Sequence, residues 1–274
     1  MARTFGYSGK TQTIAATTAQ TVTFNSSDFN PNGAVAFHFA LTGTNTLAQV
    51  TRIRVKANGE TVVDIATAHF RAFLDRFTLS QAAPATTRAA FTLPLNVPDS
   101  ADAEKADLCG WPTGAECQIE LTTDATTGAG LAMLGWTRST VAPLYYSSLI
   151  GRPLNIAASQ TNAQYNVSQR GMIQGLSLNT VGLDRAKLVL SDQEVMLLPG
   201  AQYLGAATGD LFREASTIYS GTFSATGVAN PAWIKMDGGL EARQGSSYLE
   251  LSTGAAWAGV TNEATLWSLI GQRR

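Results

Sequence analysis

Val50-Thr51-Arg52-Ile53-Arg54-Val55-Lys56-Ala57-Asn58-Gly59-Glu60 is the stretch from which the fold class can be read. Ile53, Val55 and Ala57 fall in one phase and Arg52, Arg54 and Lys56 in the other, the period of two of a strand buried on one face. Asn58-Gly59 then supplies two residues that tolerate positive φ, the requirement of a type I′ hairpin turn. Thr61 to Ile65 returns as the second strand. Directly after it the period lengthens. Phe70, Phe73, Leu74 and Phe77 fall at i, i+3, i+4 and i+7, one face of a helix, with Thr67 placed to cap it.

The same unit recurs downstream. Arg185 lies 133 residues after Arg52 (185 − 52), and that offset sets Lys187 on Arg54 and Leu188 on Val55. Ser191-Asp192 then occupies the place of Asn58-Gly59, and Gln193 to Leu198 the place of the returning strand. Pro199-Gly200 precedes Tyr203-Leu204, so a second helix is expected to be shorter or later. A further echo matches Ile119-Glu120-Leu121-Thr122-Thr123 with Leu249-Glu250-Leu251-Ser252-Thr253, 130 residues on (249 − 119). Trp136 and Trp267 follow at 131 (267 − 136). Echoes in the same order at nearly one offset indicate a tandem duplication of a β-rich domain. The expected domains are residues 1–142 and 143–274, with Ser139 to Pro153 as the crossing. Each copy carries one long irregular insertion, about Ser80 to Glu116 and about Gly205 to Pro231, rich in Ala, Thr and Gly.

Composition narrows the function. At 274 residues, 45% hydrophobic and with mean hydropathy +0.01, the chain can bury substantial cores. Only 14% of residues are charged, against roughly 25% in an average soluble domain, and 19 basic residues balance 20 acidic ones. Copies of such a chain repel one another little, which favours self-association. A phosphate backbone needs a concentrated basic surface, and Arg273-Arg274 is too small to be one, so no specific nucleic-acid binding is expected. The N-terminal residues show no signal-peptide pattern, and no apolar run of about 18 residues predicts a transmembrane helix. Asn25-Ser26-Ser27 and Asn166-Val167-Ser168 match the glycosylation pattern, which without a secretion signal carries no weight. Cys109 and Cys117 are read as free thiols.

The arrangement of two domains, each with a strand hairpin, a helix and paired closing strands, resembles the double jelly-roll major capsid proteins of the adenovirus–tectivirus lineage. It is similar above all to its short, corticovirus-like members. The residues that carry the resemblance are Val50 to Glu60 with the helix after them, and Gly171-Met172-Ile173-Gln174-Gly175-Leu176-Ser177-Leu178 through Leu190. The chain departs from the family picture in its lower charge and in the break at Pro199-Gly200. The resemblance implies an all-β fold, two tandem jelly-roll β-sandwiches with a short helix in at least the first. It implies a major capsid protein, made in the host cytoplasm and residing in the virion shell of an icosahedral virus or bacteriophage. It further implies a homotrimer whose six jelly rolls form a pseudo-hexagonal tile, neighbouring capsomers and a vertex (penton) protein as partners, and an internal lipid membrane beneath.

Catalytic chemistry is not legible. His38 and His69 are the only histidines; His38 sits out of phase with Phe37 and Phe39 on a strand, and His69 precedes Phe70 on the helix. Both are read as structural, and two isolated histidines cannot build the ligand cluster of a cupin metal site. No nucleophile elbow, P-loop or dinucleotide fingerprint occurs. No catalytic residue, cofactor or cofactor-binding residue is assigned. Asp99, Asp102, Glu104 and Asp107 lack calcium-loop spacing and are read as a solvated loop, which leaves metal binding undecided. A second reading is a carbohydrate-binding β-sandwich module or viral receptor-binding protein, with an exposed tryptophan stacked on a sugar. Trp136 and Trp267 are expected in the core. Trp111, Trp233 and Trp257, near loops, are the candidates for that role, and loop anchoring or subunit contact is the alternative.

Overall fold

The computed structural model describes residues 3–77, 89–96, 108–140, 142–154, 160–167, 171–178, 185–199, 232–241, 246–252 and 262–271. They form strands in several sheets with one α-helix among the described residues. The chain divides into two compact units, residues 1–150 with 269–274, and residues 151–268.

In the first unit the strands are β1 (Arg3–Tyr7), β2 (Gln12–Ile14), β3 (Gln20–Asn25), β4 (Ala34–Leu41), β5 (Val50–Ala57) and β6 (Glu60–Ala66). Helix α1 (Thr67–Phe77), β7 (Ala90–Pro94), β8 (Cys117–Thr123), β9 (Gly130–Ser139) and the start of β10 (Tyr145–Leu154) follow. One sheet runs β1–β9–β4–β7, with β2 also on β9; the other runs β10–β6–β5–β8–β3. Among the described residues the strands of this unit pair antiparallel, except β10 on β6, where Leu149 and Ile150 stand beside Val63 and Asp64 in parallel. The alternation read in the sequence sets the core. Val22, Phe24, Ile53, Val55, Ile119 and Leu121 face inward from one sheet, and Phe37, Phe39, Phe91, Leu93 and Leu134 from the other, all buried. Each such side chain removed from water contributes about 1.5–3 kcal/mol. Phe70, Phe73 and Leu74 bring α1 onto this core, with Phe70 edge-on to Phe91 at 6.1 Å.

Two expectations need correction in this unit. Thr67 does not cap α1: it is itself the first helical residue, and its buried hydroxyl has no partner. The supposed insertion from Ser80 to Glu116 contains β7, whose Phe91 and Leu93 fill the core opposite Phe39 and Phe37. The main division between the two units, at Ile150 and Gly151, falls within the expected crossing from Ser139 to Pro153, which is largely the ten-residue strand β10.

The second unit contains the end of β10, then β11 (Asn162–Asn166), β12 (Met172–Leu178), β13 (Arg185–Leu190), β14 (Gln193–Pro199), β15 (Ala232–Glu241), β16 (Tyr248–Ser252) and most of β17 (Asn262–Gly271). One sheet runs β11–β16–β13–β14, and β12 lies between β15 and β17 in the other. The fold is that of a double jelly roll.

The two hairpins agree beyond their strand order. Asn58 and Gly59 have φ 50° and 80°, and Ser191 and Asp192 have φ 53° and 64°, so both turns use two left-handed residues. In β5–β6 the register slips between Val55↔Val63 and Lys56↔Thr61, which leaves Val62 as the extra residue. In β13–β14 it slips between Leu188↔Met196 and Val189↔Glu194, leaving Val195, again 133 residues on. Each hairpin also pairs with a third strand, Arg54 opposite Glu120 in the first unit and Lys187 opposite Glu250 in the second. Each turn is held to the chain just before that strand by a reciprocal pair of bonds. Asn58 N–H donates to the Glu116 carbonyl (3.1 Å) and Glu116 N–H to Asn58 Oδ1 (2.8 Å). Asp192 N–H donates to the Ser246 carbonyl (2.9 Å) and Ser246 N–H to Asp192 Oδ1 (3.0 Å). The helix expected near Tyr203-Leu204 and the insertion from Gly205 lie outside the described residues.

Candidate assembly surface

The two outer faces of the first unit differ in chemistry. On β5, β6 and β8 the charged phase of the opening stretch forms a ladder. Asp64 accepts from Arg52 Nε and stands 3.4 Å from Arg54; Arg54 reaches Glu120 at 3.3 Å; Lys56 reaches Glu120 at 2.6 Å and Gln118 Oε1 at 3.1 Å. These partly exposed pairs satisfy one another, and each contributes no more than about 1 kcal/mol.

The outer face of β1–β9–β4–β7 is largely apolar, with His38, Thr92 and Thr137 at its centre and Arg3 at one end. Register places Phe5 opposite Thr137 and Tyr7 opposite Gly135. His38 is opposite Gly135 on one side and Thr92 on the other, and Ala40 is opposite Met133. Phe5 is 79% and Tyr7 82% exposed, with Leu131 and Met133 also open to solvent. His38 stands in the middle of this face. Its Nδ1 is 2.9 Å from the Thr92 hydroxyl and its Nε2 2.6 Å from the Thr137 hydroxyl, and Phe5 lies 6.0 Å from its ring. Partial burial pulls its pKa below the ordinary 6.5. Gly135 offers no side chain between Tyr7 and His38, so the face is shallowly grooved there.

His69 is elsewhere, buried on α1, and burial together with the Arg52 charge lowers its pKa to about 4. The two histidines belong to different elements and share no site. Cys109 and Cys117 are free and buried, with burial raising the Cys109 thiol to about 11 and Cys117 still higher. Among the described residues no three of His, Cys, Asp and Glu converge to hold a metal ion, and no helix is long and apolar enough to cross a membrane. The acidic group Asp99, Asp102, Glu104 and Asp107 lies outside the described residues.

Trp136 and Trp267 are buried, as the sequence predicts. Trp111 is 2% exposed, donates Nε1–H to the Ala115 carbonyl (3.2 Å) and packs 5.8 Å from Phe37, so it anchors its loop and presents no face to a sugar. Trp233 lies in β15 opposite Ser177, and Trp257 is outside the described residues. The exposed aromatic pair Phe5 and Tyr7 belongs to a short strand that has no pattern of its own to mark it. The signal lies instead in its sheet: Ala34 to Leu41 and Leu131 to Trp136 are apolar in nearly every position of both phases, the pattern of strands covered on both faces.

Residues 31–138 match the family model of the viral coat protein P2 N-terminal domain. The structure is similar to the major capsid protein P2 from bacteriophage PM2, at TM-score 0.72 and 12% identity over 100% of this chain and 99% of that one. It also resembles a chain of Sulfolobus turreted icosahedral virus, at TM-score 0.61 and 13% identity over 97% and 90%. A chain of the PBCV-1 virus capsid gives TM-score 0.54 and 10% identity over 98% and 93%. At these identities the likeness is one of fold. No curated protein sequence matches the chain. The family match covers less than half of the chain, and the structural likeness over its whole length is to proteins of the double jelly-roll fold.

Proposed function

We propose that this chain is the repeating tile of an icosahedral shell, a homotrimer whose six jelly rolls, residues 1–142 and 143–274 of each copy, give a pseudo-hexagonal outline. The observation that supports it most is the matched pair of clamped hairpins, with the same turn, the same bulge and the same third strand in both halves. Two like domains per chain let closed three-fold symmetry approximate a hexagon, which packs a surface without gaps. The weak charge of the chain allows such packing without large repulsion. Neighbouring tiles, a vertex protein and an internal lipid membrane are the partners of that role, and the host cytoplasm is where the chain is made.

The test is the mass of the purified chain by light scattering. A stable species near three times 28.9 kDa, with hexagonal outlines by electron microscopy, is the expected result. A monomer at every concentration up to that of a shell overturns the proposal.

A further inference from the structure

We infer that a second copy of this chain covers the outer face of the β1–β9–β4–β7 sheet, and that His38 makes this contact acid-sensitive. The inference rests on the tile reading and adds the surface and its control.

The case for a covered face begins with the strands. A sheet with one wet face alternates, whereas β4 and β9 carry apolar residues on both. Phe5 and Tyr7 together present roughly 300 Å² of mostly apolar surface, aromatic side chains burying about 150–250 Å² each. Their neighbours Leu131 and Met133 extend it. A stable contact needs about 800 Å² per partner, so this patch is the apolar centre of one, with the ends of the sheet as its rim. Arg3 is the only charged residue on the described outer positions of these strands. An anionic lipid surface or a phosphate chain requires a basic cluster, which this face lacks. A further copy of a weakly charged coat protein requires none.

His38 lies inside the patch. Its ring nitrogens meet hydroxyls from β7 and β9, and hydroxyls can accept from the imidazolium as well as donate to the imidazole. What is missing is a counter-charge. The groups facing it are Thr92 from β7, Thr137 and Gly135 from β9, and Phe5 and Tyr7 from β1. Ala36 and Ala40 flank it on β4, and Arg3 stands at the far end of β1. None is a carboxylate. Covering the face removes water from a group already partly buried, which penalises its charged form further. The uncovered face therefore binds a proton more readily than the covered one, and falling pH drives the copies apart.

Sedimentation velocity from pH 7.5 to 5 on the wild type, His38→Gln and the double variant Phe5→Ser/Tyr7→Ser tests this, with circular dichroism following the fold. The wild type is expected to sediment as an oligomer at pH 7.5 and to lose at least tenfold in association by pH 5. His38→Gln, which keeps a hydrogen-bonding side chain without titrating, is expected to remain associated at pH 5. The double variant is expected to be a folded monomer at pH 7.5. Equal acid dissociation of wild type and His38→Gln overturns the role of His38. A double variant that associates like the wild type overturns the surface. A wild type that is monomeric throughout overturns the tile reading itself.

Discussion

Acid should weaken the first unit through one buried imidazole. His69 is 4% exposed on α1, and burial and the Arg52 charge hold its pKa near 4 instead of 6.5. Between those values the unfolded chain carries a proton that the folded chain refuses, so stability falls as pH is lowered. Two proton-binding curves with these midpoints give a loss of about 2 kcal/mol between pH 7 and pH 5, approaching about 3 kcal/mol below pH 4. The measurement is urea unfolding followed by tryptophan fluorescence at pH 7 and pH 5, on the wild type and on His69→Gln, with His69→Leu as a second variant. Any contribution from His38 is common to all three and cancels in the comparison. The variants are expected to lose about 2 kcal/mol less than the wild type across that interval, whatever their stability at pH 7. A wild type and variants with the same pH dependence would refute the reasoning, because the imidazole would then titrate alike in both states.

Asn58→Ala and Asp192→Ala should each destabilise their hairpin by about 1–2 kcal/mol, since each removes a turn clamp and puts alanine at positive φ; thermal melts read the loss. Gly6→Ala places a Cβ 2.5 Å from the indole of Trp136, which Phe29 and Arg138 hold in place. It should cost about 1–3 kcal/mol and shift the tryptophan emission, whereas an unchanged spectrum and melting temperature would mean that β1 does not pack there. Cys109 and Cys117 should resist a thiol-specific disulfide reagent at pH 8 while the chain is folded, and both should react once it is denatured. A thiol titrated at once in the native protein would contradict their burial.

The readable parts of the fold are those where local chemistry admits few solutions. A two-residue turn needs positive φ at both positions, and Asn58-Gly59 announces that need openly. Ser191-Asp192 does so less openly, yet its strands alternate in the same phase and the offset of 133 finds it. Helix α1 shows in the spacing of Phe70, Phe73 and Leu74, while its start does not, because Thr67 has the residue type of a cap and is itself helical. Strand β7 escaped for a different reason. Ala90-Phe91-Thr92-Leu93-Pro94 is only five residues long and ends in proline, so nothing local distinguishes it from a loop. Only its pairing with β4, more than fifty residues away in sequence, makes it a strand.

The contrast between the two outer faces of the first unit is the feature least accessible to a reading of single strands. Arg52, Arg54 and Lys56 mark β5 as having a wet face, and they neutralise themselves against Asp64 and Glu120, leaving little unmet attraction for a partner. No such charged phase exists on β4 and β9. The sheet that contains them therefore exposes Phe5, Tyr7, Leu131 and Met133 around one uncharged histidine. Surface of that kind weakens a solitary protein's solubility and gains free energy only when something apolar meets it. In a chain whose fold is shared with capsid proteins, the retention of that face is better explained by contact than by folding. Phe5 and Tyr7 contribute little to the core of their own unit, so their loss should alter association far more than stability.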